Sequence, residues 1–125
     1  MKGFVKNIVV VALAVMVMFA GAVSAQDTIE KKKIEFLISA VENLKGAQFI
    51  RNGTEYNGKE AAEHLRVKLQ KAGDRVRTAD DFIRLCAAKS LLSGKPYMIR
   101  SSDGKTIKSE EFFREKIKEY NATVK

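Results

Sequence analysis

Asn52-Gly53 stands between two short strand-favouring runs in the stretch Phe49-Ile50-Arg51-Asn52-Gly53-Thr54-Glu55-Tyr56. No other pair of residues constrains the fold of this chain as strongly. A two-residue type I′ turn needs positive φ at both central positions, and Asn-Gly supplies it at little steric cost. With that turn in place, Arg51 faces Thr54, Ile50 faces Glu55 and Phe49 faces Tyr56. Alternation then puts Phe49, Arg51, Thr54 and Tyr56 on one face. The Phe49–Tyr56 pair contributes a few tenths to ~1 kcal/mol. A lone hairpin is marginal in water, so the chain must supply more sheet, or helices, to cover it.

Helices flank it on both sides. Upstream, Ile34, Leu37, Ile38, Val41 and Leu44 recur at helical spacing and predict a helix from Asp27 to Lys45 with one apolar stripe. Asp27 and Glu30 have the spacing of a capping box, and Gly46 stands where a left-handed residue ends a helix. Downstream, Asn57-Gly58-Lys59-Glu60 reads as a second capping box opening a helix to Ala72. Its buried stripe is Ala61, Ala62, Leu65, Leu69 and Ala72, and Gly73 ends it. Thr78 caps a third helix with Phe82, Ile83, Cys86, Ala87 and Ser90 inward, and with Asp80 and Asp81 near its positive end.

Ser93-Gly94-Lys95-Pro96 then turns the chain into a strand at Tyr97–Arg100. Ser101-Ser102-Asp103-Gly104 turns it back, and Lys105-Thr106-Ile107 returns as the partner strand. Ser109 is read as the cap of a fourth helix with Phe113, Ile117 and Tyr120 on its core face, fraying over Ala122–Lys125. The order is α-β-β-α twice. The expected fold is α+β: two helix–β-hairpin–helix units around one small antiparallel sheet, with four main helices. The shared layout of the two halves raises the hypothesis of an internal duplication, although the identities are few.

The first 25 residues read as a cleaved secretory signal. Lys2 and Lys6 form a basic start, Ile8 to Ala22 an apolar stretch, and Val23-Ser24-Ala25 a small-residue cleavage site before Gln26. The apolar stretch is short for a membrane span and lacks a basic stop-transfer flank. Cleavage after Ala25 leaves Gln26–Lys125 as a single small domain in the periplasm, with no stable membrane anchor. The formal charge of +8 loses Lys2 and Lys6 and no acid, leaving +6. That surplus favours acidic partners, and export disfavours nucleic acid. Cys86 is the only cysteine and His64 the only histidine. An internal disulfide is therefore excluded, and neither a protein-held metal nor a cofactor is expected.

Several elements in fixed order carry a family resemblance: Phe49-Ile50-Arg51-Asn52-Gly53, then Tyr56, Glu60-Ala61 with His64-Leu65, Thr78-Ala79 with Asp81-Phe82-Ile83, and Ser93-Gly94-Lys95-Pro96-Tyr97. With the export signal, they make the chain resemble the YfeK-like family of small bacterial periplasmic proteins, from about Ile34 to Lys118. That family is a domain of unknown function, so the resemblance implies compartment and fold rather than activity. Relatives with a cysteine just before the Phe-Ile step would have a disulfide that Ala47-Gln48 does not permit here.

The candidate chemistry is sparse. His64 follows Glu60 by four residues, so the two can share a helix face as an acid–base pair. No nucleophile accompanies them, and a structural histidine bonded to backbone or to Glu60 is the plainer reading. Cys86 lies on an apolar stripe and reads as core. The Ser93–Tyr97 segment lacks phosphate-loop spacing. If the two hairpins pair, however, Arg51, Tyr56, Lys95, Tyr97 and Arg100 gather on one polar-aromatic surface. Tyrosine and arginine are frequent interface anchors. No catalytic residue is assigned. The candidate binding residues are Arg51, Asn52, Tyr56, His64, Lys95 and Tyr97.

The chain is thus expected to be a non-enzymatic binding or accessory module of the cell envelope, acting on an envelope protein, peptide or anionic glycan. Two alternatives stand beside it. One is a small hydrolase using His64 and Glu60. The other is a structural protein that self-associates through a hairpin edge, with the expected state a monomer or weak homo-oligomer.

Overall fold

In the computed structural model, which describes residues 25–124, the chain forms helices on one side of a four-stranded antiparallel sheet. Residues 1–24, where the cleaved export signal is expected, and Lys125 lie outside the described residues. The elements are α1 (Ala25–Glu42), β1 (Gln48–Arg51), β2 (Thr54–Tyr56), α2 (Gly58–Ala72), α3 (Ala79–Phe82), β3 (Met98–Arg100), β4 (Thr106–Lys108) and α4 (Ser109–Thr123). The strand order is β2-β1-β3-β4, so the two hairpins meet through their first strands. The α+β fold and its two helix–hairpin–helix units are as expected.

The first hairpin has the register that Asn-Gly imposes: Phe49 opposite Tyr56, Ile50 opposite Glu55 and Arg51 opposite Thr54. Asn52 and Gly53 have φ of 51° and 81°, as a type I′ turn requires. Asn57 and Glu60 form the capping box of α2 through both reciprocal bonds. Thr78 and Asp81 do the same for α3.

Other local expectations are corrected. The described part of α1 begins at Ala25, so Asp27 lies inside the helix rather than capping it. Glu30 instead accepts a hydrogen bond from the Ala79 N–H at 2.9 Å, closing the first turn of a helix 49 residues away. α1 stops at Glu42 because the Leu44 N–H bonds back to the Val41 carbonyl and Gly46 turns left-handed at φ 73°.

α3 does not run on to Ser90. It widens into a π-turn over Ile83–Ala87, marked by the Ala88 N–H bonding to the Ile83 carbonyl at 2.9 Å. The wider turn lets Cys86, Ala87 and Ala88 all face inward. Ser109 is not a cap: it is the first residue of α4, buried, with its N–H donating to the Tyr97 carbonyl at 2.8 Å. β4 runs directly into α4, leaving no linker for a capping residue.

The core lies between the sheet and the helices, within Ile34–Phe113. Leu37, Ile38 and Val41 of α1 belong to one buried cluster with Phe82, Ile83, Cys86, Ile99 and Phe113. Phe82 and Phe113 pack edge to face at 6.2 Å. Among the described residues no buried polar side-chain atom lacks a partner.

Candidate functional site

Parity decides which strand side chains meet the helices. Phe49 and Ile99 pair across β1 and β3, and both are buried. Arg51, two residues beyond Phe49, and Tyr97, two residues before Ile99, therefore point to that same side. Tyr56, opposite Phe49, joins them. α2 crosses this end of the sheet, its rotation set by buried Ala61, Ala62, Leu65 and Ala72. His64, Lys68 and Lys71 recur at i, i+4 and i+7, so they form one flank of α2 beside that stripe. This flank overlooks Arg51 and the tyrosines.

The resulting cleft has two levels. Its floor is a notch of about 40 Å³ with Phe49, Tyr97, Cys86 and Phe113 among its walls, room for a few waters at most. Above it opens a groove of about 400 Å³ lined by Arg51, Asn52, Tyr56, His64, Lys68 and Lys71, a size that suits a small ligand or a short segment of a larger one. Cys86 and Ala87 reach the floor from the π-turn, a backbone irregularity that recurs at functional sites.

Tyr97 organises the charges. The Arg51 guanidinium lies 5.7 Å from its ring centre and the Lys68 ammonium 4.6 Å, both within cation–π range. Lys68 Nζ also donates to the Tyr97 hydroxyl oxygen at 2.7 Å. An ammonium has three donors, so two remain for a ligand. The Tyr97 peptide is fixed at both ends, its N–H on the Ala88 carbonyl at 3.0 Å and its carbonyl on the Ser109 N–H.

No carboxylate lines either level of the cleft. Among the described residues Arg51, Lys68 and Lys71 form no ion pair, because the nearby acids are engaged elsewhere. Glu55 pairs with Arg100 on the opposite sheet face, Glu42 with Arg66 on the far flank of α2, and Glu60 accepts from the Asn57 N–H. The Glu60–His64 pair that the spacing allows is therefore not made. His64 instead meets Tyr56 edge-on, ring centres 4.6 Å apart. Cys86 is 1% exposed, and burial raises its thiol above the ordinary cysteine value against the opposing pull of Lys68 and Arg75. It is a core thiol, as its place on the apolar stripe predicts.

Of the residues singled out from sequence, Arg51, Asn52, Tyr56, His64 and Tyr97 converge on the cleft. Lys95 lines neither level; it is exposed in the loop before β3. That loop touches the first hairpin where Ser93 Oγ donates to Asn52 Oδ1 at 3.0 Å. Arg100 leaves the group because it lies an odd number of residues from Tyr97, which reverses its face. Lys68 and Lys71 escape a motif reading. The signal that finds them is their i+4 and i+7 spacing from His64 beside the apolar stripe of α2.

A model of a family of unknown function, DUF5329, matches residues 28–121. The uncharacterized protein YfeK of Salmonella typhimurium is 40% identical over 68 residues, covering 54% of this chain and 57% of that protein's own length. The chain therefore spans little more than half of this relative. No solved structure matches.

Proposed function

The chain belongs to the DUF5329 family of unknown function, as its YfeK-like resemblance implied, and we propose that it is a non-enzymatic binding module for an anionic group, a carboxylate or phosphate carried by an envelope ligand. One observation carries this reading: Arg51, Lys68 and Lys71 line a single groove with His64, and no acid lines it. Cations placed together without counter-charges repel one another, and a bound anion relieves that repulsion. Tyr97 holds two of them in position beforehand, so little side-chain entropy is lost on binding. The flat rings and the Asn52 amide around them suit an extended ligand. The export pattern in residues 1–25 supports a periplasmic setting, and the amino-terminal mass of protein recovered from the envelope, starting at Gln26, tests it.

The binding test is an amide chemical-shift titration of Gln26–Lys125 with polyglutamate and with polygalacturonate, using neutral dextran as control. Shifts are expected at Arg51, Tyr56, His64, Lys68 and Lys71. Arg51→Gln combined with Lys68→Gln is expected to weaken binding at least ~tenfold, since each charged hydrogen bond removed is worth ~1.5–3 kcal/mol. Equal response to dextran, or unchanged affinity in the double variant, refutes the reading.

A further inference from the structure

A second surface shares Lys68 and Lys71 with the groove but differs from it in presenting exposed leucines. Between the π-turn and β3 the chain makes a self-braced loop, Lys89 to Pro96, closed by a bridge between those two residues. The Ser90 N–H bonds to the Lys95 carbonyl at 3.0 Å and the Gly94 N–H to the Ser90 carbonyl at 2.9 Å. Ser90 is buried and its Oγ accepts from the Ser93 N–H at 3.2 Å. A loop whose backbone is satisfied in this way has a defined shape. At its tip Leu92 is fully exposed and Leu91 is 58% exposed.

A single exposed leucine is ordinary. Two adjacent ones on a braced tip, framed by exposed Lys89 and Lys95 with no Asp or Glu between them, form an amphipathic pattern. Leu91 also lines a hollow of about 160 Å³ whose other walls include Lys71, Arg75 and Leu85. Cations thus stand beside Leu91 across this hollow, and Lys89 and Lys95 at the base of the loop.

We propose that the Leu91–Leu92 tip docks this protein reversibly on an anionic bilayer surface, the leucines entering the headgroup–acyl boundary and Lys89, Lys95, Lys71 and Arg75 meeting lipid phosphates. Charge complementarity selects this occupant. A second copy using the same face would bring these cations against their own symmetry mates. Anionic lipid, in contrast, offers apolar depth for the leucines and negative charge for their frame. Among the described residues no helix is long and apolar enough to cross a membrane, and the proposed attachment uses the tip alone.

The test is co-sedimentation of Gln26–Lys125, which carries the whole core but not the apolar Ile8–Ala22 run, with phosphatidylcholine vesicles with and without phosphatidylglycerol. Partitioning is expected on the anionic vesicles only and should fall with added salt. Leu91→Ser with Leu92→Ser should lower it roughly tenfold or more. Lys89→Gln with Lys95→Gln should lower it roughly tenfold. Both leucines are exposed, so the serine variant should melt with the wild type.

Failure of the wild type to partition, equal partitioning on neutral vesicles, or an unaffected serine variant each overturns the proposal. So does a wild-type dimer that the serine variant abolishes in sedimentation equilibrium, because the tip is then a self-association contact. Arg51→Gln, which disables the groove, should leave vesicle partitioning intact, so the two readings fail separately.

Discussion

Gly58, the first residue of α2, lies tight against the end of α1. A Cβ built on it would lie 2.5 Å from the Val41 carbonyl oxygen and 3.2 Å from those of Glu42 and Leu44. Carbon–oxygen contacts settle near ~3.3 Å, so the backbones at the end of α1 and the start of α2 must part by roughly 0.8 Å. These are backbone atoms, and no flexible side chain can yield in their place. Overpacking of this kind costs ~1–3 kcal/mol. Alanine's helix propensity returns at most ~1 kcal/mol over glycine, and less in a first turn. The parting also stretches the Arg66–Glu42 ion pair that joins the two helices at 3.0 Å. Its two members are substantially exposed, so it adds only a few tenths.

Gly58→Ala is therefore expected to destabilise the domain by ~1–2 kcal/mol, a fall in melting temperature of roughly 4–16 °C for a domain of this size. Thermal and urea unfolding of Gln26–Lys125 measure it. Gly104→Ala separates the causes. At Gly104 φ is 88° and a Cβ would meet nothing within 4 Å, so its cost of ~1–2 kcal/mol is conformational alone. Moving the α1 end apart should lower protection of the Leu44 amide in Gly58→Ala and not in Gly104→Ala. If Gly58→Ala is neutral or stabilising, the close helix approach does not constrain the fold and the reasoning fails.

Two further outcomes follow from charge and burial. Arg114 first, then Arg84, hydrogen-bond to Asp80 and hold its carboxyl below the ordinary value of 3.8. A depressed folded-state value means the contribution is complete above about pH 4 and is lost as pH falls below it. Urea midpoints across that range should decline, and Asp80→Asn should flatten the decline; an unchanged slope refutes the assignment. Cys86, buried and raised in pKa, should react with a thiol reagent at the rate of unfolding and not at that of an exposed thiol. Fast labelling of the native protein would contradict its core placement.

The parts of this fold legible in the sequence are those fixed within a few residues. Asn52-Gly53 determines the hairpin register because its dihedrals leave no alternative. Asn57 with Glu60 and Thr78 with Asp81 can be read as caps because donor and acceptor lie three residues apart. What could not be read depends on separation. Glu30 has the spacing to cap its own helix, yet it caps α3 because packing brings the Ala79 N–H within reach. Ser109 has the chemistry of a cap, yet strand and helix adjoin and its N–H goes to Tyr97. Gly58 reads as a neutral member of a capping box, since nothing local reveals Val41 above it. The site divides in the same way. Arg51, Asn52 and Tyr56 follow from the turn, whereas Lys68 and Lys71 require the azimuth of α2 over the sheet.

That azimuth also sets what the Arg51 guanidinium touches. It lies against an aromatic face that Lys68 contacts as well, and no acid is placed to neutralise either. For stability alone a carboxylate at this position would serve better than a second cation, since like charges in a half-buried cleft repel. The acids at hand are instead turned away, Glu55 to the outer sheet face and Glu60 to the helix cap. Tyr97 can hold the cations without cancelling them, because a π-face and a hydroxyl attract positive charge while carrying none. Its peptide, tied to the π-turn and to α4, fixes where those charges stand. A cleft built this way keeps Arg51 and Lys68 without an acidic partner in the folded state, which is the arrangement the proposed anion site requires.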